Sequence, residues 1–260
     1  MRNTAVLKDN GVDLDSALEL LGDLSFYDET LEQFIEENKT RLPNIAKYRK
    51  EGNMNDYAIL VHSLKSDAKY LGFTKLAEIA LAHEMASKAN DINTVNEKYN
   101  DLVNTYNMYA RIAFKYLETP AGDSSDDNKP EVTNNISDGK KKIIVADDSL
   151  IISGIVEKAF DGLYDVLIAV NGEKAINYTK EYDQDTIAAL ILDLNMPKVD
   201  GFAVLDYFKA NDLFKKIPVC IITGDVDKSR IDKAFTYDIV DMIQKPFTVD
   251  SVRNVINRII

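Results

Sequence analysis

Residues 190–202 read LILDLNMPKVDGF, an apolar run that ends at an acidic residue, Asp193, and continues into a helical pattern. The second half of the chain contains five such apolar runs, at Ile143–Ala146, Val166–Val170, Ala188–Leu192, Pro218–Ile222 and Ile239–Ile243. An amphipathic segment follows each of them. Strands that alternate with helices indicate an α/β domain with a doubly wound parallel sheet, whose ligand site lies beyond the carboxyl ends of the strands.

Acidic and polar residues follow these runs directly: Asp147 and Asp148 after the first, Asp193 after the third, Thr223 after the fourth and Lys245 after the fifth. Three carboxylates at one edge repel each other unless a cation gathers them, and Mg²⁺ prefers oxygen ligands. One carboxylate could then attack phosphorus to give an aspartyl phosphate, while the metal and a lysine offset the charge on the phosphoryl oxygens. The strand ends therefore predict a phosphoryl-transfer site.

The composition predicts a soluble protein of two domains. The chain has 260 residues, 31 Lys plus Arg and 43 Asp plus Glu, for a formal net charge of -12. Its length suggests two cores, and no apolar run is long enough for a membrane span or a signal peptide. The acidic balance argues against nucleic-acid binding. One Cys and two His exclude a Cys/His zinc site and an internal disulfide, so we expect a cytoplasmic location.

A polar segment rich in Ser, Asp, Asn, Pro and Gly divides the chain at residues 119–140. Such a composition cannot bury enough apolar surface to fold, which predicts a flexible linker. Residues 1–118 show helical periodicity with almost no strand signal, whereas 141–260 carry the alternating pattern. We therefore predict an all-α domain, a linker and an α/β domain.

One histidine of the first domain is predicted to lie on the outside of a helix. In Asn55–Gly72, apolar residues recur at spacings of three and four, and His62 falls on the opposite side of the helix at 100° per residue. We expect His62 to face solvent, within a docking surface formed by Ile59, Lys65, Ser66, Lys69 and Tyr70. Two nearby lysines would attract a phosphoryl group, although an ordinary surface histidine is an open alternative. The other histidine, His83, lies on an apolar stripe and is expected to be a hydrogen-bonded core residue.

The second domain resembles the response-regulator receiver domains through IIVADDS, LILDLNMPKVDGF, PVCIITGD and QKPF, in this order. The resemblance implies a flavodoxin-like five-stranded sheet of order 2-1-3-4-5, with Asp193 as the phosphoacceptor. It further implies a Mg²⁺ site formed by Asp148, Asp193 and the backbone carbonyl of Asn195, supported through water by Asp147. Thr223 and Lys245 would contact the phosphoryl group, and the Lys245–Pro246 bond would be cis.

Met242 departs from the receiver pattern. The family usually carries Tyr or Phe three residues before the lysine, and the rotamer of that ring is coupled to the threonine. Met is flexible and apolar, so it can pack without forming a two-state switch. This substitution calls the usual conformational output into question, but not the phosphorylation.

The first domain resembles the histidine phosphotransfer (HPt) domains, through HSLKSDAKYLG at His62–Gly72. The family has Leu, Lys, a small residue and Gly at fixed distances after its histidine, and Leu64, Lys65, Ser66 and Gly72 occupy those positions here. The resemblance implies a four-helix bundle with His62 as a phosphoryl carrier.

The two resemblances together predict a phosphorelay protein without a kinase core or an output domain, since no nucleotide-binding motif is present. It is expected to be no enzyme beyond the receiver's own phosphorylation and dephosphorylation. Its partners would be histidine kinases or hybrid kinases and other receiver or HPt proteins. Two alternatives stay open: a phosphorylation-dependent adaptor with a vestigial His62, and a Mg²⁺-dependent phosphatase, which usually needs an acid where Asn195 stands.

Overall fold

The computed structural model describes residues 2–118, 139–224 and 228–260, without the side chain of Asn38. The chain divides into two compact units, one helical and one α/β. This division agrees with the predicted order of domains. The predicted linker, 119–140, lies almost entirely outside the described residues, so its flexibility and the domain boundaries stay predictions.

The described part of the helical unit contains six helices. They are α1 (Ala5–Lys8), α2 (Leu14–Leu21), α3 (Leu24–Glu51), α4 (Met54–Tyr70), α5 (Thr74–Lys88) and α6 (Ile92–Leu117). Side chains of Asp23, Asn53 and Asp91 accept hydrogen bonds from backbone N–H groups in the first turns of α3, α4 and α6. These caps satisfy donors that a helix start leaves unpaired. The four long helices confirm the predicted bundle.

Aromatic side chains fill the core of the bundle. The ring of Phe34 on α3 stacks on Tyr106 of α6 with centroids 5.1 Å apart, and Phe73 stacks on Tyr109 at 4.4 Å. Phe34 and Phe73 meet edge to face at 5.4 Å. Each such pair is worth about 0.5–1.5 kcal/mol beyond its buried area. The aromatic cluster therefore ties α3 and α6 to the turn between α4 and α5.

Gly72 forms the turn between α4 and α5 and touches the start of α2. Its φ is +71°, and a Cβ there would lie 2.2 Å from the carbonyl oxygen of Asp13. The N–H of Asp13 donates to the carbonyl of Gly72 at 2.9 Å. Only glycine combines this backbone angle with so close an approach. The glycine that the HPt resemblance picked out therefore fixes the end of α4 against the neighbouring segment.

The second unit is a parallel five-stranded sheet with helices between the strands. The strands are β1 (Lys142–Ala146), β2 (Asp165–Ala169), β3 (Ile187–Asp193), β4 (Val219–Thr223) and β5 (Asp241–Gln244), in the order 2-1-3-4-5. The helices are α7 (Leu150–Phe160), α8 (Gly172–Glu181), α9 (Gly201–Ala210), α10 (Lys228–Ala234) and α11 (Val249–Ile259). The predicted fold and strand order are confirmed.

Three of the predicted strands extend beyond the strands of the structure at one end. Val170, Pro218 and the pair Ile239 and Val240 lie outside the strands. Val170 and Val240 are 39% and 52% exposed, and Pro218 has no N–H to donate to a neighbouring strand. Apolar character alone had extended these strands by one or two residues.

The centre of the sheet is buried on both faces, as expected of a parallel sheet covered by helices. Gly201 places the start of α9 against the end of β3, since a Cβ there would lie 2.3 Å from the carbonyl oxygen of Asp193. The loop 194–200 thus returns to the end of β3. No helix in the described ranges is both long and apolar enough to cross a membrane.

Candidate functional site

Three carboxylates meet at the carboxyl end of the sheet. Asp147 and Asp148 follow β1, and Asp193 is the last residue of the adjacent strand β3. One ligand atom from each of the three lies within 4.8 Å of the other two. Asp147 and Asp193 are fully buried, whereas Asp148 is partly exposed. The predicted cluster of acids is therefore present.

Lys245 reaches this cluster from the end of β5. Its Nζ lies 2.5 Å from Oδ2 of Asp147 and 2.8 Å from Oδ2 of Asp193. Burial alone would lower the pKa of Lys245, but the two carboxylates outweigh it and raise the pKa, so the ammonium stays charged. The Lys245–Pro246 bond is cis, as predicted. A fixed positive charge therefore stands beside Asp193.

The acidic cluster fits a divalent cation. Lys245 pairs with Asp147 and Asp193, and ligand atoms of all three carboxylates converge within 4.8 Å in a mostly buried place. The donors are all oxygen atoms, the kind that Mg²⁺ prefers. Oδ1 of Asp147 accepts the N–H of Ser149 at 2.9 Å and its Oδ2 meets Lys245, which suits a supporting role through water. The metal roles of Asp148, Asp193 and the Asn195 carbonyl remain predictions.

Thr223 and Met242 lie where the sequence placed them. Thr223 ends β4, one residue beyond the partner of Asp193 in the strand register, and it is 1% exposed. Its carbonyl accepts the N–H of Lys245 at 2.8 Å, which links the ends of β4 and β5. Met242 lies on β5, partly buried against the apolar core. The phosphoryl contact of Thr223 and the output role of Met242 stay predictions.

Arg230 is a site residue that the sequence did not indicate. From α10, its Nη2 donates to Oδ1 of Asn195 at 2.9 Å. The backbone N–H of Asn195 in turn donates to Oδ1 of Asp193 at 3.3 Å. Arg230 is 35 residues from Asn195, and no local pattern signals a contact over that distance.

His62 is buried, so the prediction that it faces solvent is wrong. Its side chain on α4 is about 3% exposed, and Nδ1 lies 2.6 Å from Oε1 of Glu84 on α5. The helical periodicity identified one apolar stripe and assigned the opposite side to solvent. However, α4 packs against α2, α3 and α5, and a carboxylate on α5 compensates the polar groups that face it.

Glu84 is the centre of a buried charged cluster on the HPt side. Its Oε2 lies 2.7 Å from Nζ of Lys65, and its Oε1 lies 2.8 Å from Nζ of Lys88. Burial would raise the pKa of Glu84, but His62 and Lys65 outweigh it and lower the pKa. Glu84 is therefore an ionised acceptor, which requires Nδ1 of His62 to carry the hydrogen of their bond. Nε2 keeps the free lone pair, and among the described residues it has no hydrogen-bond partner.

The predicted docking surface is only partly exposed. Lys69 is exposed and Ile59 partly so, while Lys65 and Ser66 are 5% and 4% exposed. Tyr70 is fully buried, so its predicted outward orientation is wrong for the same reason as that of His62. Ser66 Oγ donates to the carbonyl of His62 at 3.3 Å, within the helix. Although the Lys69 side chain is exposed as a whole, partial burial of its charged group and the charge of Lys65 lower its pKa.

His83 is a core residue, as predicted. It is 1% exposed, with Nδ1 2.8 Å from the hydroxyl of Tyr57 and Nε2 3.1 Å from the carbonyl of Lys98. The carbonyl can only accept, so Nε2 carries the hydrogen and Nδ1 accepts from Tyr57. Burial lowers the pKa of His83. Both nitrogens are engaged, which leaves no lone pair for a phosphoryl group.

Comparison with known proteins supports the two-domain reading. The Hpt domain family model matches residues 29–106, and the response regulator receiver domain model matches residues 143–257. Chemotaxis protein CheY1 of Helicobacter pylori is 33% identical over 109 residues, which cover 41% of this chain and 86% of that protein. The probable transcriptional regulator ycf29 of Pyropia yezoensis is 33% identical over 121 residues, 46% of this chain. The match spans about half, 53%, of the ycf29 protein.

A solved structure also matches part of the chain. The chemotaxis protein CheY4 of Vibrio cholerae has a TM-score of 0.42 and 21% identity, and the match covers 47% of this chain and 100% of that one. The sheet order, the acidic cluster and the two family matches agree with one another. The chain therefore belongs to the two-component phosphorelay proteins, with an HPt domain followed by a response-regulator receiver domain.

Proposed function

We propose that the protein passes phosphoryl groups between histidine and aspartate side chains, with His62 and Asp193 as its two phosphoacceptors. The observation that carries this proposal is the placement of buried Asp193 between Lys245 and the two other carboxylates. A nucleophile, a fixed cation and an oxygen-lined cation site are together what phosphoryl transfer to a carboxylate needs.

In the receiver, a carboxylate oxygen of Asp193 attacks the phosphorus of a phosphohistidine. The bond between phosphorus and the donor nitrogen breaks, and its electron pair returns to the imidazole. Lys245 stabilises the charge on the transferred phosphoryl oxygens, and the hydroxyl of Thr223 donates to one of them. Mg²⁺ held by Asp148, Asp193 and the carbonyl of Asn195 would supply further charge neutralisation when bound, with Asp147 supporting it through water.

In the HPt domain, Nε2 of His62 is the nucleophile toward the aspartyl phosphate of a receiver. Glu84 holds the Nδ1–H at 2.6 Å, which fixes the tautomer that leaves the Nε2 lone pair available. As the phosphoryl group bonds to Nε2, the bond from phosphorus to the aspartyl oxygen of the receiver breaks and its electron pair returns to that carboxylate. The ring gains positive charge, and the Glu84 carboxylate stabilises it. Lys65 lies 3.3 Å from Nδ1 of His62 and pairs with the same carboxylate, at 2.7 Å from Oε2 of Glu84. Transfer requires a movement that exposes Nε2, since the ring is buried.

The protein carries phosphoryl groups made by other proteins, and it is not itself an ATP-dependent kinase. Its partners are histidine kinases or hybrid kinases and other receiver or HPt proteins. The net charge of -12 favours protein partners over nucleic acid. The direction of phosphoryl flow depends on these partners.

A second candidate function is an adaptor that changes partners when Asp193 is phosphorylated, with His62 vestigial. The burial of His62 favours it, because a carrier histidine must meet the active site of another protein. The Glu84 cluster favours the relay, because a vestigial histidine needs no carboxylate to fix its tautomer.

Labelling with a phosphorylated donor separates the two functions. Phosphohistidine is lost in acid and aspartyl phosphate in base, so the relay predicts one label of each kind. We expect His62→Gln to remove the acid-labile label and Asp193→Asn to remove the base-labile label. His83→Gln serves as the matched histidine control and should keep both labels. If His62→Gln leaves transfer to every receiver unchanged, the adaptor reading replaces the relay.

A further inference from the structure

Arg230 binds the loop that follows the phosphoacceptor. Its Nη2 donates to Oδ1 of Asn195 at 2.9 Å and lies 3.5 Å from the carbonyl oxygen of Leu194. Its guanidinium also lies 5.1 Å from the ring centre of Phe202, on α9. Two hydrogen-bond acceptors and a ring therefore hold the guanidinium against the loop between β3 and α9.

The oxygen and the nitrogen of the Asn195 side-chain amide differ in their hydrogen bonding. Its Oδ1 accepts a hydrogen bond from Arg230, which holds that end of the side chain toward α10, while its donor, Nδ2, is buried and has no hydrogen-bond partner among the described residues. The backbone N–H of Asn195 donates to Asp193, so the side chain of Asn195 lies close to the phosphoacceptor. A free amide N–H₂ can donate to phosphoryl oxygens. Within this side-chain amide, only Oδ1 can accept a hydrogen bond from a water molecule.

We propose that Arg230 is a positioning residue that lengthens the life of the aspartyl phosphate by keeping Oδ1 of Asn195 away from the attacking water. The inference rests on the proposed function, because it needs a phosphoryl group on Asp193. In hydrolysis the water oxygen bonds to phosphorus, and the bond from phosphorus to the Asp193 carboxyl oxygen breaks. The electron pair of that bond goes to the carboxylate, and a proton passes to solvent.

An acceptor beside the water would align it for this attack. With Arg230 in place, the side chain of Asn195 presents its donor, Nδ2, to the attacking water instead. Removal of Arg230 frees Oδ1 to accept from the water, which speeds hydrolysis. One neutral hydrogen bond to the transition state corresponds to about a two- to tenfold change in rate.

The test follows the loss of label from Asp193 in the full-length protein carrying His62→Gln, after labelling with acetyl phosphate and Mg²⁺ and removal of the donor. We expect Arg230→Ala to lose label about two- to tenfold faster than the parent. Arg230→Met keeps an apolar side chain over Phe202 and should lose label as fast as Arg230→Ala. Agreement of the two variants shows that the faster loss does not come from misfolding of the alanine variant. Lys233→Ala is the matched control, because this exposed lysine of α10 lies 4.1 Å from the same ring. Its label should last as long as that of the parent.

The dependence on Asn195 distinguishes positioning from a direct charge effect. In an Asn195→Ala background, Arg230→Ala should leave the lifetime unchanged, since there is no Oδ1 to release. An unchanged lifetime in Arg230→Ala with native Asn195, or an equal acceleration in both backgrounds, overturns the inference alone. Absence of base-labile label from the parent overturns the inference and the proposed role of Asp193 together.

Discussion

Glu84 should be a main determinant of both the stability of the HPt bundle and the reactivity of His62. Its side chain is 5% exposed and meets Lys65, whose side chain is 6% exposed, and the ring of His62. Glu84→Ala leaves the buried ammonium without its carboxylate, and breaking a buried pair in this way costs about 3–5 kcal/mol. Lys88 is 44% exposed, so its ion pair with Glu84 adds little, about 0.5 kcal/mol or less. We therefore expect a loss of about 3 kcal/mol in the free energy of unfolding.

The assay is urea unfolding of the full-length protein, with hydrogen exchange of α4 amides to assign the loss to the bundle. Glu78→Ala is the matched control, because Glu78 lies exposed on the same helix. Surface changes of this kind usually alter stability by about 0.5 kcal/mol or less. If Glu84→Ala is no less stable than Glu78→Ala, the buried cluster does not exist in solution.

The stabilisation of the fold by Glu84 should also depend on pH, in a direction that its pKa determines. The folded protein lowers the pKa of Glu84 below its ordinary value of 4.5, so the carboxylate stabilises the fold at pH values above that value. This stabilisation is lost as the pH falls below about 4.5 and the unfolded state takes up the proton. The stability difference between the native protein and Glu84→Gln should therefore be largest near neutral pH and shrink in acid. A difference that stays constant from about pH 5 down to about pH 3 contradicts the lowered pKa of Glu84.

Three further results are expected. Gly72→Ala should lower the free energy of unfolding by more than about 2 kcal/mol, since its Cβ would meet the Asp13 carbonyl. Gly52→Ala, with a similar φ of +66° and open space around it, should lower it by about 1 kcal/mol. Equal losses in urea unfolding would contradict the close approach at Gly72. Mg²⁺ at ten times its dissociation constant should stabilise the receiver by about 1.4 kcal/mol in thermal unfolding, and Asp148→Asn should abolish most of that gain. Cys220 should resist a maleimide in the native protein, because burial raises its pKa to about 12, and rapid native labelling would show that β4 opens readily.

The architecture of both domains could be predicted from the sequence because its signals are local. Helix α4, Met54–Tyr70, ends within a few residues of the predicted helical segment Asn55–Gly72, where a cap or a glycine stops the periodic pattern. The convergence of Asp147, Asp193 and Lys245 was predictable as well. Parallel strands bring their carboxyl ends to one edge, so position along each strand was enough.

The surroundings of the two phosphoacceptors could not be predicted in the same way. The burial of His62 depends on Glu84, 22 residues away, and a periodic pattern on one helix does not show what faces its polar side. The contact between Arg230 and Asn195 likewise depends on how α10 packs. Both interactions are polar contacts between separate elements, and apolar periodicity carries no information about them.

The most direct measurement of the central claim is a site-resolved phosphotransfer profile. The full-length protein is mixed with a panel of phosphorylated kinases and receivers, and the labelled residue is identified at short times under neutral conditions. We expect receivers to label Nε2 of His62 and phosphohistidine donors to label Asp193, each within one fast phase. Phosphoryl transfer that persists in the double variant His62→Gln, Asp193→Asn, or a complete absence of label on His62 with every receiver, would contradict this expectation.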